Sequence, residues 1–242
     1  MLEDFIMEKY KRILLKLSGE AISGGDKGII DFDLVKNICK GIIDCTKTGV
    51  QVAIVVGAGN IWRGRQGGEM DATRADHMGM LATAINALAL EDTFIGLGAQ
   101  AKVFTAVDMN RFACPYSRDA VENAFADGNI VIFGCGLGSP FFSTDTAAVL
   151  RAVEIGADAA LFAKNIDGVY SADPKKDTNA VKYDSLTYET ILEKRLAAID
   201  LTAAALALDK GLKIHVFALD TPENIVRAAN GENIGTVLSG GI

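Results

Sequence analysis

Apolar positions along this chain follow two rhythms that alternate from end to end. Unbroken apolar runs at 13–17, 51–56, 102–105, 129–133, 159–163 and 213–217 read as strands. Between them, apolar residues return every three to four positions. Leu34, Val35, Ile38, Ile42 and Ile43 predict a helix over 32–46 that stops at Gly49. Further helices are predicted over 78–90, 119–126, from Thr146 to Glu154, over 201–208 and over 222–229, the last with Pro222 in its first turn. Strands that are apolar throughout need cover on both faces. Their regular exchange with helices therefore predicts an α/β fold built on a mainly parallel sheet. No repeat and no low-complexity linker interrupts the pattern, so residues 1–242 are expected to form a single domain.

Four strand-like runs end in glycine turns: Lys16-Leu-Ser-Gly19, Gly57-Ala-Gly-Asn-Ile-Trp-Arg63, the stretch from Gly134 to Asp145, and Asp167-Gly168. Ligands of open parallel sheets bind at the carboxyl ends of strands, so four such turns predict one large site. The stretch Gly134-Cys-Gly-Leu-Gly-Ser-Pro-Phe-Phe-Ser-Thr-Asp145 says most. It carries a strand into a helix start, where unpaired N–H groups and the positive end of the dipole favour phosphate. Asp145 adds a carboxylate beside that anion site. Lys16 lies among Leu14, Leu15 and Leu17, a setting too apolar for an edge strand, and is expected to point into a polar site. Phosphoryl transfer needs cations around the moving group and a carboxylate to hold them, and Lys16 with Asp145 fits those parts. Asp76, near the start of the long helix, reads equally as a helix cap or as a contact to a ligand hydroxyl. His77 is expected to be a packed or capping residue rather than a general base, and Cys135 a small buried residue rather than a reactive thiol.

Composition narrows the choices. The net charge of −7 argues against a nucleic-acid binder but permits small phosphorylated ligands. Four scattered cysteines without a CxxC pair argue against a zinc site or a disulfide framework and fit a reducing, cytoplasmic setting. Two histidines leave little material for triads or metal clusters, so no protein-held metal is expected. The acids near the N-terminus are unlike a signal or transit peptide, and no unbroken apolar run approaches the roughly 20 residues of a membrane span. There is no GxxxxGK[ST], and Gly57-Ala-Gly-Asn is not the GxGxxG fingerprint, so P-loop and dinucleotide-binding readings are poor.

These residues resemble the bacterial-type uridylate (UMP) kinases of the amino acid kinase superfamily. The matching segments are Tyr10 to Ala21, Gly57 to Gly64, Ala75-Asp-His-Met-Gly-Met-Leu-Ala82, Gly138-Ser-Pro-Phe-Phe-Ser-Thr-Asp145 and Asp167-Gly-Val-Tyr-Ser-Ala-Asp-Pro174, collinear over 10 to about 238. The resemblance implies a three-layer α/β/α fold, with an acceptor-nucleotide lobe at about 10–155 and an ATP lobe at about 156–238. It implies reversible transfer of the ATP γ-phosphoryl to UMP with Mg²⁺, in a cytoplasmic homohexamer subject to UTP feedback, with neither membrane nor nucleic acid as partner. Lys16 and Asp145 would be catalytic. Lys16, Leu17, Ser18, Gly19, Gly59, Arg63, Lys164, Tyr170 and Asp173 would hold ATP. Ala58, Asp76, Leu137, Gly138, Ser139, Pro140, Phe141, Phe142, Ser143 and Thr144 would hold UMP. Two departures stand out. Leu137 and Ser139 replace the family's usual Thr and Asn, which weakens the expected preference for uracil. Glu91 and Ile95 replace basic residues that some relatives use for GTP activation, so activation through that contact set is not expected, although 23–28 keeps a matching glycine-rich loop. The alternatives are a sibling small-molecule kinase and a non-catalytic nucleotide sensor.

Overall fold

The computed structural model describes residues 9–25, 28–63, 68–174, 176–196 and 198–241. The N-terminal stretch 1–8, residues 26–27 of the glycine-rich loop and Gly64 lie outside the described residues. In chain order the strands are β1 Arg12–Leu17, β2 Gln51–Val56, β3 Ala101–Thr105, β4 Cys114–Pro115, β5 Ile130–Gly134, β6 Ala159–Lys164, β7 Val169–Tyr170, β8 Lys182–Tyr183, β9 Ser185–Thr187, β10 Lys213–Ala218 and β11 Thr236–Ser239. The helices are α1 Phe32–Lys47, α2 Ala72–Gly96, α3 Arg118–Ala126, α4 Thr144–Glu154, α5 Tyr188–Lys194, α6 Leu201–Lys210 and α7 Glu223–Ala229. Among the described residues, nine strands form one sheet in the order β4-β3-β5-β2-β1-β6-β10-β11-β9. Its pairings are parallel except β10 with β11. The small β7–β8 ribbon stands apart.

Two cores explain why the strands are apolar on both faces. Ile13, Leu15 and Leu17 of β1 face a cluster with Val35, Ile38, Leu90, Phe94 and Ile225, from α1, α2 and α7. Leu14 faces the opposite cluster, with Val121, Ala148, Ile191 and Ala204, from α3, α4, α5 and α6. The expected layers of helix, sheet and helix are therefore present, and β1 lies near the centre of the sheet.

The long strands fall where the apolar runs put them. The long helix differs: instead of 78–90 it runs from Ala72 to Gly96, and its cap is Asp71, whose carboxylate accepts from Arg74 N at 3.1 Å. Asp76 is therefore not the capping residue, and His77 is exposed rather than packed or capping. This 25-residue helix is also long and apolar enough to cross a membrane, by length and composition alone. In this fold its inner face, through Ala82, Ala87, Leu90 and Phe94, packs into a core, while Met78, Leu81 and Ile85 stay exposed. Sequence periodicity misses β4, β7, β8, β9, β11 and α5 because they are only two to seven residues long. Among the described residues the four cysteines are free; Cys39, Cys45 and Cys135 are buried, and burial pushes the Cys135 thiol up. Cys135 is thus the small buried residue it was expected to be.

His215, in the middle of β10, is 5% exposed and stands edge-on to Tyr10, with the phenol oxygen 2.7 Å from Nε2. Burial first, and the charge of Lys213 second, lower its pKa to about 4. The unfolded chain, with an ordinary histidine, therefore binds more protons between about pH 6.5 and 4, so acid favours unfolding there. The effect amounts to roughly 3 kcal/mol lost between pH 6.5 and 4. Melting temperatures measured from pH 7 to 4 should fall more steeply for the wild type than for His215→Phe; parallel curves would refute this.

Candidate active site

The site begins with the two-residue period of a strand. Lys16 shares the sheet face of Leu14, the face covered by α4. On the neighbouring parallel strand, Lys16 pairs with Phe162, so Lys164 lies two residues further along that face. Helix α4 starts opposite both lysines and places Asp145 in its first turn. Lys16 Nζ lies 2.9 Å from Asp145 Oδ1, and Lys164 Nζ lies 3.6 Å from Oδ2. All three side chains are largely buried, at 11%, 15% and 22% exposure for Lys16, Asp145 and Lys164. Burial alone would raise the Asp145 carboxyl, but the charges of Lys16 and Lys164 outweigh it and hold it below the usual range. Burial lowers the Lys164 ammonium, with Lys16 adding to that against the pull of Asp145. Two cations thus share one carboxylate at the ends of adjacent strands. The expectation that Lys16 points into a polar site holds.

The glycine turns close around this centre. Gly57 N donates to Leu17 O at 2.9 Å, which brings the turns after β1 and β2 together. The approach is tight: a Cβ on Gly19 would lie 2.6 Å from Gly59 N and 2.8 Å from Gly57 O, so only glycine fits. Ser18 caps the short 3-10 turn Gly19–Ile22 by accepting from Glu20 N at 3.3 Å. Leu17, by contrast, buries its side chain in the core on the other face, so only its backbone reaches the site. Arg63 pairs with Glu20, and its Nε donates to Gly59 O at 3.3 Å.

Two cavities lie nearby, one lined by Thr144 at the start of α4 and the other by Lys164. One, of about 240 Å³, is lined by Ala58, Gly59, Asp76, Leu137, Ser139, Phe142, Ser143 and Thr144 among others. It gathers most of the residues expected to hold the acceptor. Gly59, expected beside the ATP phosphates, lines this cavity too. Asp76 has a structural task there, since its Oδ2 accepts from Phe141 N at 2.8 Å. Phe141 itself points outwards, 75% exposed, with a left-handed φ of 70°. Gly138 and Pro140 shape the turn without lining the cavity, and Gly138 presses against Ala106. The other cavity, of about 430 Å³, is lined by Lys164, Tyr170 and Asp173 together with Lys194, Arg195 and Val216. Tyr170 is aimed by a 2.8 Å hydrogen bond to Asp167. At the other end of the sheet, Glu91 accepts from Val103 N at 2.8 Å, and Ile95 is exposed.

Sequence reasoning missed Asp200. Its carboxylate caps α6 by accepting from Ala203 N at 2.8 Å, and it also accepts from Thr146 Oγ1 at 3.0 Å and from Ser143 Oγ. One side chain therefore joins the starts of α4 and α6, and its charge reaches Lys164. An aspartate just before an alanine-rich helix is a legible cap. Its second partner, 54 residues away, is not. Lys194 and Arg195 were missed because they lie at the end of a seven-residue helix with no periodic signal.

An α/β/α sandwich with lysines and one carboxylate at the ends of central strands, ringed by glycine turns, is the architecture of a phosphoryl-handling enzyme. The chain belongs to the amino acid kinase family, whose sequence model matches residues 11–218. It is similar to the crystal structure of UMP kinase from Bacillus anthracis, at 36% identity and a TM-score of 0.92, over 96% of this chain and 97% of that one. It is similar to UMP kinase from Ureaplasma parvum, at 37% identity and a TM-score of 0.90, over 96% and 100%. Uridylate kinase from Archaeoglobus fulgidus matches at 31% identity and a TM-score of 0.72, also over 96% and 100%.

Asp200→Ala removes a helix cap and the acceptor for two hydroxyls, and should lower the melting temperature by about 4–8 °C. Asp200→Asn, which keeps a capping oxygen, should recover part of that loss. A wild-type melting temperature for the alanine variant, read by circular dichroism, would discard the role.

Proposed function

We propose that this chain is a UMP kinase, which moves the γ-phosphoryl of ATP to UMP and yields ADP and UDP. The observation that carries the reading is Asp145 held between Lys16 and Lys164, with Lys164 lining one cavity and Thr144, next to Asp145 in sequence, lining the other. The relatives named above, alike over nearly their whole length, support the choice of acceptor. The cavity lined by residues between 58 and 144 takes UMP, and the one lined by residues between 164 and 216 takes the adenine nucleotide. The acceptor lobe then spans about 10–155 and the ATP lobe about 156–238.

In this reading an oxygen of the UMP phosphate attacks the γ-phosphorus in line with the departing ADP. That oxygen is ionised at neutral pH, so no general base is required. The protein's part is to position the groups and to neutralise charge. The Lys16 and Lys164 ammonium groups lie along the transferring phosphoryl, and Asp145 keeps them apart and aimed. Backbone N–H groups of Gly19 and Gly59, with the positive end of α4, meet phosphate oxygens. Ser18 and Arg63 steady the triphosphate, while Tyr170 and Asp173 hold its nucleoside. Asp76 contacts the UMP ribose and fixes the turn above it. Ala58, Leu137, Ser139, Phe142, Ser143 and Thr144 enclose the base and phosphate of UMP, while Gly138, Pro140 and Phe141 shape the turn that carries them. Mg²⁺ would arrive on the nucleotide's own phosphates and supply charge neutralisation there. Among the described residues no cluster of three or more acidic, histidine or cysteine side chains offers a protein-held site, and Asp145 and Asp200 are already engaged by lysines and by hydroxyl and N–H donors. UTP, which shares the base and carries more phosphate, suits feedback at the same cavity. The exposed face of α2 at Met78, Leu81 and Ile85 suits contact between subunits of a homohexamer.

A coupled ADP-release assay offering UMP, CMP, carbamate and acetylglutamate should show turnover with UMP. Turnover with another acceptor alone would transfer the reading to a sibling kinase, and CMP turnover would trace to Leu137. In the same assay Lys16→Ala and Asp145→Asn should lose about 10²- to 10³-fold in kcat. Their UMP affinity should move by less than about threefold, because these groups act on the transition state. Unchanged rates would remove the mechanism. Light scattering after size-exclusion should give the mass of six chains, and a monomer would contradict the assembly.

A further inference from the structure

Asn86, with Thr83, is a buried polar residue on the inner face of α2. It is 0% exposed, yet its neighbours one turn away on that face are Ala82 and Leu90, both core residues. A buried amide is costly unless satisfied, and an apolar residue of similar size would pack there without that cost. Asn86 is satisfied by one partner region only. Its Nδ2 donates to Gly57 O and to Asn60 Oδ1, both at 2.8 Å, and its Oδ1 accepts from Asn60 Nδ2 at 3.0 Å. Asn60 Nδ2 also donates to Ile29 O at 3.0 Å. The paired amides thus pin the turn after β2 to the helix. The pin extends to the turn after β1, because a Cβ on Gly19 would lie 2.5 Å from Asn60 Oδ1. Three residues back along α2, Thr83 Oγ1 accepts from Cys135 N at 2.8 Å and so holds the third turn.

We infer that the Asn60–Asn86 amide pair positions the backbone donors of Gly19, Ala58 and Gly59 for the phosphoryl transfer proposed above. The inference rests on that reading for its catalytic consequence. Neither amide lines either cavity, so the pair acts through the turn rather than on a nucleotide. A turn released from the helix would still let nucleotides bind in the two cavities. Its N–H groups would no longer meet the transition-state oxygens at the right distance.

The test uses Asn60→Ala, Asn86→Leu and the double variant in the full chain, with ATP and UMP as substrates. Each single variant should lower kcat by about 10- to 100-fold, the scale for misplacing a catalytic group by up to an ångström. KM for both nucleotides should stay within about threefold, and the double variant should be no worse than the worse single one, because the amides act as a unit. Wild-type kcat in the folded variants, or losses that multiply in the double variant, would overturn the inference. Asn60 is only half-buried, so its variant carries the test if Asn86→Leu does not fold. Amide exchange at Gly19 and 57–59 supplies a readout independent of activity. It should quicken at least about tenfold when the pair is broken, since opening of the turn then takes less free energy. Unchanged protection rejects the pin. A wild type without UMP turnover defeats the functional reading instead, and the exchange measurement still decides whether the amides hold the turn.

Discussion

One carboxylate between two ammonium groups governs this molecule. Removing three charges from water is costly, and a single Asp145 cannot balance both Lys16 and Lys164. Asp200, which caps α6 nearby, supplies a second carboxylate whose charge reaches Lys164. The depressed Lys164 ammonium reflects that cost, since burial and Lys16 both act against its charge. An anion drawn to the two ammonium groups would offset part of that cost.

The surrounding fold can be understood as the means of assembling that cluster. Parallel strands point their carboxyl ends the same way, so β1, β2, β5 and β6 deliver their turns to one edge. Strand pairing alone places Lys16 and Lys164 on one face. The carboxylate between them comes from a helix start, where Ser143 caps the first turn by accepting from Asp145 N and Thr146 N. Asp200 then locks that start to α6. Helix α2 runs beneath the other turns and touches them through Asp76, Thr83 and Asn86.

Much of this was legible in the residues, and the limits have physical causes. The central strands are apolar on both faces, so β1, β2, β5, β6 and β10 stand out in the sequence within one residue of their observed ends. The glycine turns were legible because chain reversal and close approach leave few alternatives, as Gly19 illustrates. The start of α2 was not, because Asp71 and Asp76 are both plausible caps and only hydrogen bonding separates them. The β9–α5–β11 region was invisible, since its short pieces owe their shape to contacts far apart in sequence. Asp200, Asn60 and Asn86 escaped notice for the same reason: a single asparagine or aspartate does not disclose its partner.

The position of β1 also bears on how the chain is made and folds. Among the described strands it comes first in chain order, yet it ends between β2 and β6. The hydrogen bond from Arg12 N to Asp158 alone spans 146 residues. On one flank β1 can pair early with β2, then with β5 and β3 beyond it, so this half can gather while the rest is still being synthesised. The other flank stays an open apolar edge until β6 arrives. Loops this long close slowly, and an unpaired hydrophobic edge invites association with other chains. The same arrangement that hides Lys16 at the centre of the finished sheet therefore exposes its strand for longest on the way there.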